Sequence, residues 1–252
     1  MIKRKTYSFR GGDILDIEEY HDGRYGAPGL KRMKRRKATK EDMLRVNKWN
    51  KEKRCRQRLL QYFKETDLFL TWTYSIEERP PDMQAALKDF RRSIAKVRRA
   101  YRKRGYELFW IRNIEQGTKG AWHIHLIVNE IGDSASIVQK AWDHGGTWIT
   151  EIKRSKFYDE DFMKLACYMT KDKNTTEQKK DGIEGKPRIK ESSYNTSKNM
   201  PLPDPHEDKL RRWKKEVKPK KGYYIARVWE GINPKTGYKY RRCTMIRLNR
   251  RI

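Results

Sequence analysis

The sequence predicts an α+β fold, an antiparallel sheet of about five strands with helices on one face. Three observations predict it. Short β-branched and aromatic runs alternate with helix-period segments; their order between residues 67 and 172 is βαββαβα; and a Gly-rich turn joins two of the runs directly, as an antiparallel hairpin requires.

The elements follow in order. Residues 1–40 are basic and Gly-rich, with Arg32-Met-Lys-Arg-Arg-Lys37 in no apolar register, and read as an arm. Thr39 with Asp42 fits an N-cap pattern, and a charged helix is expected from about 40 to 65, with Leu59, Leu60 and Phe63 as its apolar residues. Leu68-Phe-Leu-Thr-Trp-Thr-Tyr74 reads as a strand. Pro80-Pro81 breaks the chain before a helix of about 82–104, where Met83, Leu87, Phe90, Ile94 and Val97 recur at helical spacing. Residues 107–116 and 121–129 are strands around the Gly117–Gly120 turn. A short helix is expected near 134–143, a strand at 147–153 and a helix at about 159–172. Residues 173–221 are Lys-, Pro- and Ser-rich and read as a basic linker; residues 222–252 read as a hairpin around Asn233–Gly237.

Composition narrows the class of partner. A formal charge of +28 on 252 residues points to a polyanion. The longest apolar run, Trp122 to Val128, is broken by two histidines, so no membrane span is expected. Met1-Ile-Lys-Arg-Lys5 has no apolar segment behind it, so no secretory signal is expected. Cys55, Cys167 and Cys243 stand far apart without a C-x-x-C, which excludes a thiolate zinc site and suits a reducing cytoplasm.

Chemistry enters at Trp122-His-Ile-His125. Strand side chains alternate faces, so His123 and His125 share one face while Trp122, Ile124, Leu126 and Val128 take the other. If Thr118-Lys-Gly120 is a three-residue loop with Gly120 left-handed, Glu115 lies opposite His123 and its carboxylate joins both imidazoles. A two- or four-residue loop turns Glu115 away. Two nitrogens and a carboxylate leave positions open for water and phosphate, the pattern of a catalytic metal site; mixed N/O donors suit Mn²⁺ or Mg²⁺, with zinc possible on donor type. The alternative is two histidines on a half-exposed strand.

In Asp161-Phe-Met-Lys-Leu-Ala-Cys-Tyr-Met-Thr-Lys171, Phe162, Leu165 and Met169 form a buried stripe. Lys164, Tyr168 and Lys171 follow at i, i+4 and i+7 beside it, where lysine would favour the phenolate and hold a phosphate oxygen. The chain has 14 tyrosines, and Tyr158 is the rival nucleophile.

Together these pieces resemble the HUH endonuclease superfamily, and within it the single-tyrosine rolling-circle replication initiators of bacterial plasmids and phages. Phe69-Leu-Thr-Trp-Thr-Tyr74 is similar to the family's first motif, with Trp72 where a leucine is common; His123-Ile-His125 matches its His-hydrophobe-His motif; Tyr168-Met-Thr-Lys171 matches its Y-x-x-K motif. The likeness covers about residues 67–172, and more weakly Ser193–Met200. The resemblance implies an endonuclease domain over 41–172 with its catalytic core at 67–172. It also implies metal ligation by Glu115, His123 and His125, attack by Tyr168 assisted by Lys171, and DNA contacts from Thr71, Thr73, Lys164, Ser197 and Lys198. The partner it implies is single-stranded DNA at a replication origin, nicked through a 5′-phosphotyrosine with a 3′-hydroxyl left to prime a polymerase. No G-x-x-x-x-G-K-[ST] occurs, so a separate helicase is expected. The competing readings are a single-tyrosine transposase or mobilisation relaxase, a non-catalytic basic single-strand binder, and a zinc hydrolase.

Overall fold

The structure is a computed structural model that describes residues 1–22, 39–117, 120–171, 194–233 and 237–249. It is α+β, with two antiparallel five-stranded sheets and four helices among these residues. The chain divides into two compact units, residues 48–201 and residues 1–47 with 202–252. No described helix is long and apolar enough to cross a membrane.

The sheet of the 48–201 unit contains β3 (Leu68–Thr73), β4 (Trp110–Gln116), β5 (Trp122–Val128), β6 (Thr147–Glu151) and β7 (Tyr194–Thr196), in the order β6-β3-β5-β4-β7. Its alternation is strict. Leu68, Leu70 and Trp72 of β3, Trp110 and Ile114 of β4, and Trp122, Ile124, Leu126 and Val128 of β5 all face one core. Onto it fold α2 (Met83–Lys103), through Met83, Leu87, Phe90, Ile94 and Val97, and α3 (Ser134–Ala141), through Ile137 and Val138. Burying each of these large side chains contributes about 1.5–3 kcal/mol. Asp82 starts α2 by accepting the Ala85 N–H at 2.9 Å, satisfying a donor the first turn cannot. The preceding helix, α1 (Lys40–Tyr62), opens on a reciprocal capping box: Thr39 Oγ1 accepts the Asp42 N–H and the Asp42 carboxylate accepts the Thr39 N–H.

The expected helix of 159–172 is shorter. It is α4 (Met163–Met169), because Phe162 sits in the left-handed region at φ 55° and Asp159 turns its carboxylate onto the Lys164 N–H at 3.1 Å. Phe162, Leu165 and Met169 are buried, as the stripe predicts. Unlike α2 and α3, α4 lies over the histidine face: its Tyr168 meets His125 and Phe69. Arg56 of α1 reaches the same region, donating to the Asp161 carbonyl at 2.8 Å.

The other unit corrects the reading of residues 1–40 as an arm. Residues 1–22 form β1 (Ile2–Phe9) and β2 (Ile14–His21), which join β8 (His206–Leu210), β9 (Tyr223–Ile232) and β10 (Lys239–Arg247) in the order β8-β1-β2-β10-β9. The basic residues at its start are neutralised across strands: Lys3 pairs with Asp22, Arg4 with Glu19 and Lys5 with Glu207, at 2.6–2.9 Å. The adjacent glycines, Gly11 at φ 62° and Gly12 at φ 96°, form the turn between the two strands. Residues 23–38, with the basic run at 32–37, lie outside the described residues. The linker expected over 173–221 is likewise interrupted by β7 and β8, while 172–193 lie outside the described residues. The C-terminal hairpin is β9–β10, with a register shift at Thr244/Met245; residues 234–236 of its expected turn lie outside the described residues.

Candidate active site on the histidine face

The β4–β5 register decides which side chains can meet. Glu115 pairs with His123 and Asn113 with His125, and Gly120 is left-handed at φ 76°. This is the register expected from a three-residue loop, of which Thr118 and Lys119 lie outside the described residues. Gly117 N–H donates to the Ala121 carbonyl at 2.7 Å and closes the strands just before that loop. Any side chain at 117 would stand 3.2 Å from His123 Nε2, so glycine also makes room for the imidazole.

A chain of contacts then crosses the face. His125 Nε2 lies 2.7 Å from Glu115 Oε1 and 2.9 Å from the Tyr168 hydroxyl. Lys171 Nζ pairs with Glu115 Oε2 at 2.7 Å and stands 3.9 Å from the Tyr168 ring centroid. The Tyr168 ring is clamped, stacked on Phe157 at 3.6 Å and met edge-on by Phe69. On its other nitrogen, His125 Nδ1 is 2.9 Å from Thr71 Oγ1. A hydroxyl can donate or accept, so Thr71 supports either tautomer of the ring.

Electrostatics follow from crowding. Burial alone would raise the Glu115 carboxyl, but hydrogen bonds from His125 and Lys171 outweigh it and hold the group at about 2. Burial, then the neighbouring charge of His125, lowers His123; Glu115 pulls it back and Arg79 pushes it further down. Burial, then the Glu115 charge, raises the Tyr168 phenol. The expectation that nearby lysines favour the phenolate is therefore reversed in this arrangement, because the Lys171 ammonium is bound to Glu115.

The predicted residues divide into those the fold assembles and those it does not. Glu115, His125, Tyr168 and Lys171 touch one another, and His123 stands opposite Glu115 on the same face. Thr73 pairs with His123 but turns its hydroxyl to the Gly146 carbonyl at 3.2 Å. Lys164 is exposed on the first turn of α4. Ser197 is buried and accepts the Trp110 N–H, so it fastens the chain beside β4; Lys198 is exposed next to it. Tyr158, the rival nucleophile, donates to Glu65 at 2.8 Å.

Three contributors escaped sequence reasoning. Asn113 is fully buried and donates from Nδ2 to the Lys171 carbonyl at 3.3 Å, fixing the exit of α4. Phe157 provides the stacking wall, and Arg79 adds positive charge near His123. The pairing of Asn113 with His125 was implicit in the predicted register; the other two follow from loops that carry no periodic signal.

Among the described residues, no three of His, Cys, Asp and Glu are drawn together closely enough to hold a metal ion. In kind the donors still fit one. His125 Nε2 and Glu115 Oε1 already converge, in a contact closed by a shared proton, with His123 on the same face.

Residues 67–173 match the model of the replication-associated protein ORF2 family. The matched segment holds all of the contacts described above, from Thr71 to Lys171, and stops short of Ser197 and Lys198. No curated protein and no solved structure matches the chain.

Proposed function

We propose that the protein initiates DNA replication by nicking and rejoining single-stranded DNA at an origin through a Tyr168 phosphodiester. The observation that carries the reading is the convergence of Tyr168 Oη, His125 Nε2 and Glu115 Oε1 on one sheet face, within 2.9 Å steps, inside the segment that matches a replication-associated family.

The residues divide the work. Glu115, His123 and His125 would hold a divalent ion, Mn²⁺ or Mg²⁺, which supplies charge neutralisation at the scissile phosphate. Thr71 orients His125 through Nδ1, as outer partners of metal-binding histidines do. Phe157 and Phe69 fix the phenol ring, which lowers the entropic cost of an in-line approach. Tyr168 Oη loses its proton and attacks phosphorus; the P–O3′ bond breaks and the leaving oxygen takes a proton from solvent, giving a 5′-phosphotyrosine and a free 3′-hydroxyl. Lys171, over the ring, stabilises the negative charge as it develops. Rejoining is the same displacement run backwards by a 3′-hydroxyl. The 3′-hydroxyl would also prime a polymerase, and unwinding would need a separate helicase.

The test is a denaturing gel of protein incubated with 3′-labelled single-stranded DNA pools and origin DNA, with Mn²⁺ or chelator. The expected result is a label at protein size that needs the metal and disappears in Tyr168→Phe and His123→Ala. An adduct that survives Tyr168→Phe moves the nucleophile elsewhere. Tight binding without any adduct leaves a non-catalytic single-strand binder.

A further inference from the structure

We propose that Trp148 is a base-stacking platform that seats an unpaired nucleotide of single-stranded DNA beside the site. This rests on the nuclease reading for its location but makes a separate claim about binding.

Trp148 lies in β6, the edge strand, and 55% of it is exposed. An indole in a regular strand ordinarily packs, so an exposed one needs an occupant to explain it. Its register is specific. Thr71 pairs with Trp148 on one side and with His125 on the other. Opposed residues share a face, so the indole stands on the histidine face two strand spacings, roughly 10 Å, from His125. Phe69 meets it edge-on at 82°, and the same Phe69 ring meets Tyr168. The indole is thus held in orientation by the residue that also clamps the nucleophile.

The chemistry of the surroundings selects the occupant. Among the described residues no strand pairs with the outer side of β6, so one flank of the indole has no strand beside it. Lys153, Arg154 and Lys156 follow in the turn directly after β6, and the first two are well exposed, at 60% and 76%. A π-face with cations next to it matches a base and its phosphate. Duplex DNA, with its bases stacked on one another, offers no free face. A single strand does.

The experiment is fluorescence anisotropy of labelled oligothymidylate in a Tyr168→Phe background, at fixed salt with Mn²⁺. Trp148 is compared with Trp148→Ala and Trp148→Phe, and then with a series of oligonucleotides each carrying one abasic position. The expected loss in Trp148→Ala is about tenfold, with most of it restored in Trp148→Phe. For one abasic position the difference between Trp148 and Trp148→Ala should vanish. Equal affinity of Trp148 and Trp148→Ala, or the same loss at every abasic position, overturns the platform. Both variants melting with the Tyr168→Phe parent rules out a folding defect. Adduct formation is read separately in the Tyr168 protein: adduct without Trp148 dependence sinks the platform alone, and Trp148 dependence without adduct sinks the nuclease alone.

Discussion

At the scale of single residues, Lys171 has two tasks that pull on one ammonium group. It neutralises Glu115 at 2.7 Å and covers the Tyr168 ring at 3.9 Å. Its backbone is tied down separately by Asn113. Removing the side chain in Lys171→Ala leaves a half-buried carboxylate without its cation and the nascent phenolate without its counter-charge. The expected outcome is about a 10²-fold slower single-turnover adduct formation, with DNA affinity nearly unchanged because few phosphate contacts are lost. An unchanged rate in a rapid-quench measurement would reduce Lys171 to a packing role. His123 differs from His125 in this respect: burial and the adjacent imidazole both keep it neutral, which is the state a metal donor needs.

At the scale of elements, glycine positions separate two kinds of constraint. Gly120 is left-handed at φ 76° with nothing within 4 Å of a would-be Cβ, so Gly120→Ala meets backbone strain alone. Gly145 is at φ 155° and its Cβ would stand 2.4 Å from the Thr73 carbonyl oxygen, where the chain turns into β6. Urea denaturation should therefore give about 1 kcal/mol of destabilisation for Gly120→Ala, and about 3 kcal/mol or more for Gly145→Ala. Similar losses would show that the approach of this turn to β3 is loose enough to absorb a methyl group.

The same scale explains what the sequence made legible. Period-2 alternation around His123 and His125, together with one glycine at the right spacing, was enough to place Glu115 opposite His123. Helical spacing placed the core stripe of α2 residue by residue. The strands of residues 1–22 stayed hidden because Lys3, Arg4 and Lys5 look solvated until Asp22, Glu19 and Glu207 are brought opposite them, one from more than 200 positions away. β7 is three residues long, too short for any periodic signal. Alternation could assign Trp148 to a face, yet its exposure depends on β6 being an edge, which only topology decides.

At the scale of the molecule, buried weak acids recur in both units. Burial pushes the Cys55 thiol up to about 12 and Cys243 up to about 11, from an ordinary 9.0. Burial likewise raises the Tyr74, Tyr101 and Tyr194 phenols above their ordinary 10.0. Each folded value lies above the unfolded one, so the stability these groups contribute is complete below about pH 9 and is lost as pH climbs toward the folded values. The melting temperature should fall steadily from pH 8.5 to 11. It is best measured in high salt, so that relief of the +28 self-repulsion does not mask the trend. A flat or rising profile would contradict the burial of these groups.

The topology also bears on synthesis. β1 and β2 are made before the partners that flank them, β8 and β10, which lie at 206–210 and 239–247, behind the whole of the 48–201 unit. A two-stranded hairpin alone is marginal in water. On the ribosome, the earlier hairpin must therefore wait while the site-bearing unit emerges and folds. At about 5–20 residues per second, that unit is complete seconds before the waiting strands find their neighbours. The nascent chain passes through a stage in which the site is assembled and the sheet built around β1 and β2 is not.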